Sequence, residues 1–158
     1  MPGSEASDTA HDAVQRLAPS LRRFARALAA DRDEAAADQI VHEAIDRLRR
    51  RTESASHLRA ALYAGIVHIH RGRRLPAPHE SQSARAGRGG VAQQIERLPL
   101  DQREVLLLVV LEQLSYDEVA TILSLPRSSI VARLARARAA LSLAEETSAR
   151  PAYLRVVK

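Results

Sequence analysis

The sequence contains no cysteine and no tryptophan, and only 3% of its residues are aromatic. Without cysteine the chain can form neither disulfides nor thiolate metal sites, which fits a reducing compartment. Its longest apolar run, from Val105 to Leu111, is far shorter than the roughly 18 to 20 apolar residues of a membrane span. We therefore expect a cytoplasmic protein that crosses no membrane.

The sequence motifs of common enzyme chemistry are also missing. There is no HExxH motif, no glycine-rich phosphate loop opening a helix and no nucleophile elbow. His68 and His70 are two positions apart, so on a helix they point to different faces. We therefore expect no catalytic residue, no metal site and no cofactor, and we predict that the protein is not an enzyme.

Helix-forming residues dominate what is present. Hydrophobic residues make up 46% of the chain, and most of them are alanine, leucine, valine and isoleucine. Alanine, leucine, arginine and glutamate are strong helix formers. Apolar residues recur every three or four positions, as in Leu17, Leu21, Phe24 and Leu28, and this is the spacing of one helix face. The pattern predicts an all-α fold of small helical bundles.

One stretch divides the chain near its middle. Residues 75 to 90 include prolines, glycines and serines in close succession, a composition typical of a flexible linker. We predict a disordered tail over 1–14, a helical domain over 15–74, the linker over 75–91, a second helical domain over 92–144 and a C-terminal tail over 145–158. Each domain is too short for a large core, so each should be a compact bundle.

Positive charge is concentrated in two places. The formal net charge is +5. Between Arg47 and Arg74 many arginines stand against the single acid Glu53, and between Arg127 and Arg138 there are arginines and no acid. Two separate arginine clusters indicate two contacts with a polyanion. The alternative is that these arginines are simply solvated on alanine-rich helices.

The residues from Ser115 onward predict two helices joined by a short turn. Ser115 and Glu118 have the spacing of a capping box, in which each side chain bonds the backbone of the other residue. Pro126 then breaks the first helix, because the residue before a proline is disfavoured in helix. A second helix should run from Arg127 through Ala140. This arrangement is a helix-turn-helix, and the alternative is an ordinary helical hairpin.

In a helix-turn-helix the beginning of the second helix enters the major groove of DNA. Arginine bonds guanine edges or phosphates, and serine bonds either. The predicted DNA-facing residues of this helix are Arg127, Ser128, Ser129, Ala132, Arg133 and Arg136.

These motifs together resemble a known family. Residues 95–141 begin IERLPLDQREVLLL, continue LSYDEVATIL and end in RLARARAAL, and they look like region 4 of extracytoplasmic-function sigma factors. The segments LAPSLRRFARALAADRDEA, IVHEAIDRL and SHLRAALYAGIVHIHRGRR look like region 2 of the same family. The resemblance runs from Leu17 to Leu143, and the linker falls where the family has one.

The resemblance implies a protein that directs core RNA polymerase to stress-response promoters and is controlled by an anti-sigma factor. Region 4 would read the −35 element of promoter DNA through the helix beginning at Arg127, and region 2 would read the −10 element. Core polymerase would be bound by Ile40, Val41 and Glu43. The −10 element would be contacted by Tyr63, His70, Arg71, Arg73 and Arg74.

Some positions depart from the family pattern and keep an alternative open. Ala61 stands where an aromatic residue is usual, and Val67-His68 replaces an Arg-Asn pair. The N-terminal half is also similar to the sigma-like domain of alphaproteobacterial general stress response regulators, which imitate a sigma factor to capture its anti-sigma factor. Those regulators also carry a receiver domain, for which this sequence has no room, and the basic charge favours DNA. The alternative is therefore a mimic that opens no promoter.

Overall fold

The computed structural model describes residues 3–29, 34–50, 57–73 and 90–149, with side chains from residue 11 to residue 144 of these ranges. There the chain forms seven α-helices, one π-helical turn and no strand, which confirms the predicted all-α class. The helices are α1 (Gly3–Ala29), α2 (Glu34–Arg49), α3 (Leu58–Arg73), α4 (Val91–Arg97), α5 (Leu100–Leu106), α6 (Tyr116–Leu123) and α7 (Arg127–Ala149). We call residues Leu107–Leu111 the π-turn.

Helices α1 to α3 form the N-terminal unit, a three-helix bundle in which each helix contacts the other two. Each helix contributes the apolar stripe that its sequence spacing predicts. The buried side chains include Leu21, Phe24 and Leu28 of α1, Ile40 and Val41 of α2, and Leu62 and Ile66 of α3. Burial of such side chains provides about 1.5 to 3 kcal/mol each, so this stripe is what holds the three helices together.

Small residues let α2 and α3 approach closely. A Cβ atom placed on Gly65 would lie 3.3 Å from the Cβ of Ala44, which is tighter than most carbon contacts. The small size of both residues therefore permits this close approach, because a larger side chain at either position would push the helices apart.

Helices α4 to α7 and the π-turn form the C-terminal unit. Its core includes Val105 and Leu108, together with Val119 of α6 and Ile130 and Leu134 of α7. Helix α5 packs mainly against α7, and α6 packs against α7 across the short turn. The predicted helix-turn-helix is thus held on a small bundle of its own.

The length of the segment and the polar residues flanking the apolar run from Val105 to Leu111 predict one helix over residues 101–114, and the structure divides it. Helix α5 ends at Leu106, and the N–H of Glu112 then donates to the carbonyl of Leu107 at 3.1 Å, five residues back. This wider winding is a π-turn, and Gln113 leaves it in the left-handed conformation with φ 53°. The π-turn keeps Leu107 and Leu108 buried in the C-terminal unit.

The helices also differ in extent from the predicted tails. Helix α1 begins at Gly3 rather than after a tail of 14 residues, and α7 continues to Ala149, beyond residue 144. The first extension contains three alanines and the second two glutamates, and these residues favour helix once a neighbouring turn has formed. The predicted linker lies outside the described residues, apart from Gly90 and Val91.

The two units pack against each other and share one continuous apolar core. Helix α1 contacts the π-turn, and α3 contacts α6. The sequence predicts two separate bundles, and the structure adds an interface between them. No helix in the described part of the chain is long and apolar enough to cross a membrane.

Candidate nucleic-acid interface

The beginning of α6 and the turn before α7 are built as the sequence predicts. The Glu118 N–H donates to Ser115 Oγ at 3.2 Å, and the Ser115 N–H donates to Glu118 Oε2 at 2.8 Å. Helix α6 ends at Leu123, and its C-cap residue Ser124 has the left-handed conformation. In the first turn of α7, the Ser129 N–H donates to the Pro126 carbonyl at 2.9 Å. The predicted helix-turn-helix is therefore confirmed in its local geometry.

The first half of α7 has a buried face and an exposed one. Ile130, Leu134 and Ala137 are buried against the C-terminal unit. The side chains that the sequence assigns to DNA lie mostly on the other side, with Arg127, Ser128, Ala132 and Arg136 exposed and Ser129 and Arg133 partly buried. No acidic residue interrupts this face between Arg127 and Ser142, so its field favours an anion.

Arg127 is held at the beginning of α7 by two neighbours on α6. Its Nε lies 3.7 Å from Asp117 Oδ1, and its guanidinium stands 6.0 Å from the centre of the Tyr116 ring. Both contacts are weak, and the Arg127 side chain is 64% exposed. It is therefore oriented yet free to exchange its partners for a phosphate or a base.

Arg133 is less available. Its Nε lies 3.5 Å from Asp101 Oδ2 on α5. The side chain lines an open groove of about 540 Å³ between the two units, together with Leu100, Glu104 and Arg71. This groove brings together one arginine from each predicted DNA-binding set.

Arg71, at the end of α3, binds Glu104 of α5 with two hydrogen bonds. Its Nε donates to Oε1 at 2.9 Å, and its Nη2 donates to Oε2. Two-point pairing of this kind is the strongest way for arginine to bind a carboxylate. The hydrogen bonds to Glu104 raise the pKa of Arg71, and nearby Asp101 acts in the same direction. The Glu104 side chain is fully buried.

Glu43 links α2 with α3. Its carboxylate accepts hydrogen bonds from Arg73 at 2.8 Å and from Arg47 at 2.7 Å. The bond from Arg73 is the largest influence that lowers the pKa of Glu43, and the charge of Arg47 adds to it. The structure therefore joins a residue that the sequence assigns to polymerase binding with one that it assigns to the −10 element.

The remaining residues predicted for the N-terminal unit are buried. Ile40, Val41 and Tyr63 face the core, and His70 is only 8% exposed. The ring of Tyr63 meets that of Phe24 edge to face at 5.2 Å. These residues have little surface to offer a partner in this arrangement, and their roles stay predictions. Arg74 lies outside the described residues.

Apart from Tyr63, these further contacts between the two units involve residues that the sequence does not single out. Tyr63 Oη donates to Glu112 Oε2 at 2.5 Å, and Arg23 donates to Glu112 Oε1 at 3.1 Å. Arg59 donates to the Glu112 carbonyl at 3.0 Å, and Arg103 donates to the Leu28 carbonyl at 3.2 Å. The one hint in the sequence is that Arg103, Glu104 and Glu112 are charged residues next to an apolar run.

The described residues contain no cluster of three or more histidine, cysteine or acidic side chains that could hold a metal ion. The groove between the units has two acids and two arginines as its charged groups. Such a surface suits the exchange of ionic partners.

Comparison with known proteins agrees with this geometry. Residues 88–141 match the family model described as Sigma-70, region 4. None of the curated proteins compared with the chain matches it. Among solved structures, the chain is similar to the sigma factor RpoE from Bartonella quintana, solved in complex with the anti-sigma factor NepR. The TM-score is 0.63 and the sequences are 24% identical, over 85% of this chain and 97% of that chain.

The all-α fold of the described residues is thus similar to that of this solved sigma factor. More particularly, the C-terminal unit is similar to region 4 of the sigma-70 family over residues 88–141, which include α6 and α7 as the helix-turn-helix. The resemblance stated from the motifs between residues 95 and 141 is confirmed for this unit.

Proposed function

We propose that this protein is an extracytoplasmic-function sigma factor of the general stress response type, which directs core RNA polymerase to promoters in the cytoplasm. The observation that carries the proposal is the region 4 match over residues 88–141, which includes the exposed, arginine-bearing face of α7. In a helix-turn-helix this face enters the major groove. Helix α7 would therefore read the −35 element.

The N-terminal unit would serve the −10 element and core polymerase. Arg71 and Arg73 stand at the end of α3, where exposed cations can approach the DNA backbone. The structural relative from Bartonella quintana is bound to an anti-sigma factor. We propose that this chain also has an anti-sigma factor as its regulatory partner.

Transcription in vitro tests the proposal most directly. Core polymerase alone should be inactive on promoters recovered by genome-wide binding of this protein, and addition of the full chain should start transcription from them. Binding of an anti-sigma factor with no transcription at any recovered promoter would instead identify the mimic. In that case the protein should also leave −35 DNA unbound.

The −35 assignment has its own test in α7. Arg136→Ala should weaken binding to a promoter duplex and reduce the slope of log affinity against log salt by about 1, because one phosphate contact is lost. Arg138→Ala is the matched control. It removes the same charge two positions along the helix, from an exposed side chain outside the predicted DNA face.

Fluorescence anisotropy at several salt concentrations would measure both variants. Equal losses for Arg136→Ala and Arg138→Ala would mean that binding depends on total charge alone. That result would remove the support for the assigned face.

A further inference from the structure

The groove between the units brings two carboxylates of α5 close to two arginines. Asp101 and Glu104 are three positions apart on α5, so they lie on one face of that helix. Asp101 pairs with Arg133 of α7, and Glu104 pairs with Arg71 of α3. One short helix thus places a carboxylate on an arginine from each of the two predicted DNA-binding sets.

We propose that α5 holds the protein in a closed, self-inhibited arrangement, with Asp101 and Glu104 in the places that DNA phosphates take in the open one. The inhibitory part of this inference rests on the proposed function, because it assumes that Arg71 and Arg133 bind promoter DNA. The claim that α5 holds the two units together rests only on the contact between them.

The Arg71–Glu104 pair is the stronger of the two contacts. Glu104 is fully buried and uses both of its oxygens for the two guanidinium donors of Arg71. A buried carboxylate is costly without such a partner. The closed arrangement therefore needs Arg71, and Arg71 cannot offer these two donors to a phosphate at the same time.

The Asp101–Arg133 contact is looser and lies within the C-terminal unit. Its 3.5 Å separation and the 46% exposure of the Asp101 side chain make it easy to exchange. DNA can therefore engage α7 first, while Arg71 becomes available only when α3 leaves α5. The order that follows is −35 binding, then opening of the units, then contact with the −10 element.

A distance measurement tests the closing contact without DNA. Since the chain has no cysteine, Gln39→Cys on α2 and Thr121→Cys on α6 would carry the only spin labels, both at exposed positions. Double electron–electron resonance should show a single, short distance between the two spin labels in this labelled parent. Glu104→Gln should raise the fraction of longer distances by at least roughly tenfold, the change expected for loss of one charged hydrogen-bonded pair.

The matched control is Glu34→Gln. It makes the same substitution in an arginine–glutamate pair, Arg26–Glu34, that joins α1 to α2 inside the N-terminal unit. The distances should stay as in the parent. Arg71→Gln removes the other partner of the closing contact and should open the units as Glu104→Gln does. Circular dichroism would confirm that each variant is folded.

Binding to a recovered promoter duplex tests the inhibition. Glu104→Gln should bind more tightly than the parent, by at most the factor by which its open fraction rises, because α7 engages DNA in both arrangements and only the −10 contact needs the open one. Glu34→Gln removes the same charge and should show a smaller increase in affinity for the duplex. Unchanged distances in both Glu104→Gln and Arg71→Gln would overturn the proposal. Open units with no DNA binding in any variant would uphold the closing contact and count against the proposed function instead.

Discussion

At the scale of single residues, Glu112 shows how one buried carboxylate joins two units. It follows the π-turn, and its side chain accepts hydrogen bonds from Tyr63 and Arg23 of the N-terminal unit. Burial is the largest influence that raises the pKa of Tyr63, and the hydrogen bond to Glu112 adds to it. The phenol is therefore strongly held in its protonated, donating form.

Tyr63→Phe removes this donor and keeps the ring. We expect a loss of about 1.5 to 3 kcal/mol in the free energy of unfolding, as for a hydrogen bond to a charged group. Urea denaturation at neutral pH would measure it. Tyr116→Phe is the control, since Tyr116 is only partly buried, and it should change stability by less than about 0.5 kcal/mol.

The raised pKa of Tyr63 also predicts a dependence on alkaline pH. A group whose pKa is higher in the fold than in the unfolded chain stabilises the fold below the unfolded value, here 10.0. That contribution is lost as the pH rises above it. The parent should therefore lose more stability than Tyr63→Phe between neutral pH and pH above about 10. Parallel losses in the two proteins would show that Tyr63 does not titrate in this way.

At the scale of elements, the helix-turn-helix depends on how α6 begins and ends. The backbone N–H of Ser115 is the largest influence that lowers the pKa of Glu118, and the Ser115 hydroxyl adds to it. Below an ordinary glutamate pKa of about 4.5 this capping contribution is progressively lost. The sequence spacing of these two residues was sufficient to predict the contact, because capping is a local interaction.

Ser115→Ala removes the hydroxyl that accepts the first amide bond of α6. The free energy of unfolding should fall by about 1 kcal/mol, which is typical of losing an N-cap. Ser142→Ala, an exposed position within α7, should be neutral or slightly stabilising, because alanine favours a helix interior. Thermal and urea unfolding would compare the two. Equal effects would mean that the capping box contributes nothing to stability.

At the end of α6 we expect a substitution to stabilise the protein instead of destabilising it. Ser124 has φ 54° and ψ 46°, a left-handed conformation in which a side chain is disfavoured and glycine is not. Ser124→Gly should therefore stabilise the protein by about 0.5 to 1 kcal/mol. Ser124→Val should destabilise it, since a branched side chain fits this conformation poorly. A loss of stability in the glycine variant would contradict this account of the turn.

At the scale of the whole molecule, the two units share one continuous apolar core and are linked by two buried carboxylates. Glu104 and Glu112 each bind a partner across the interface. We expect the parent to unfold in one calorimetric transition.

Removing both carboxylates should separate the units. The double variant Glu104→Gln with Glu112→Gln should unfold in two transitions, or in one that is clearly broader, because each unit keeps its own bundle. Glu34→Gln, which affects a contact inside the N-terminal unit, should keep the single sharp transition. A double variant with an unchanged transition would mean that apolar contacts alone hold the units together.

The sequence by itself determined the helical class, the helix-turn-helix and the arginine-bearing face of α7. Each depends on interactions between residues close in the chain, such as the spacing of Ile130, Leu134 and Ala137 or the Ser115–Glu118 capping box. Periodicity and caps are local, so the sequence carries them directly.

Only the tertiary structure decided how the two units meet. It placed Glu104 of α5 on Arg71 of α3, and it buried Tyr63 against Glu112. It also wound residues 107–111 into a π-turn instead of a straight helix. Residues in these contacts are 33 and 49 positions apart, and no spacing rule links them. Their pairing follows from burying charged groups that must find partners within the fold.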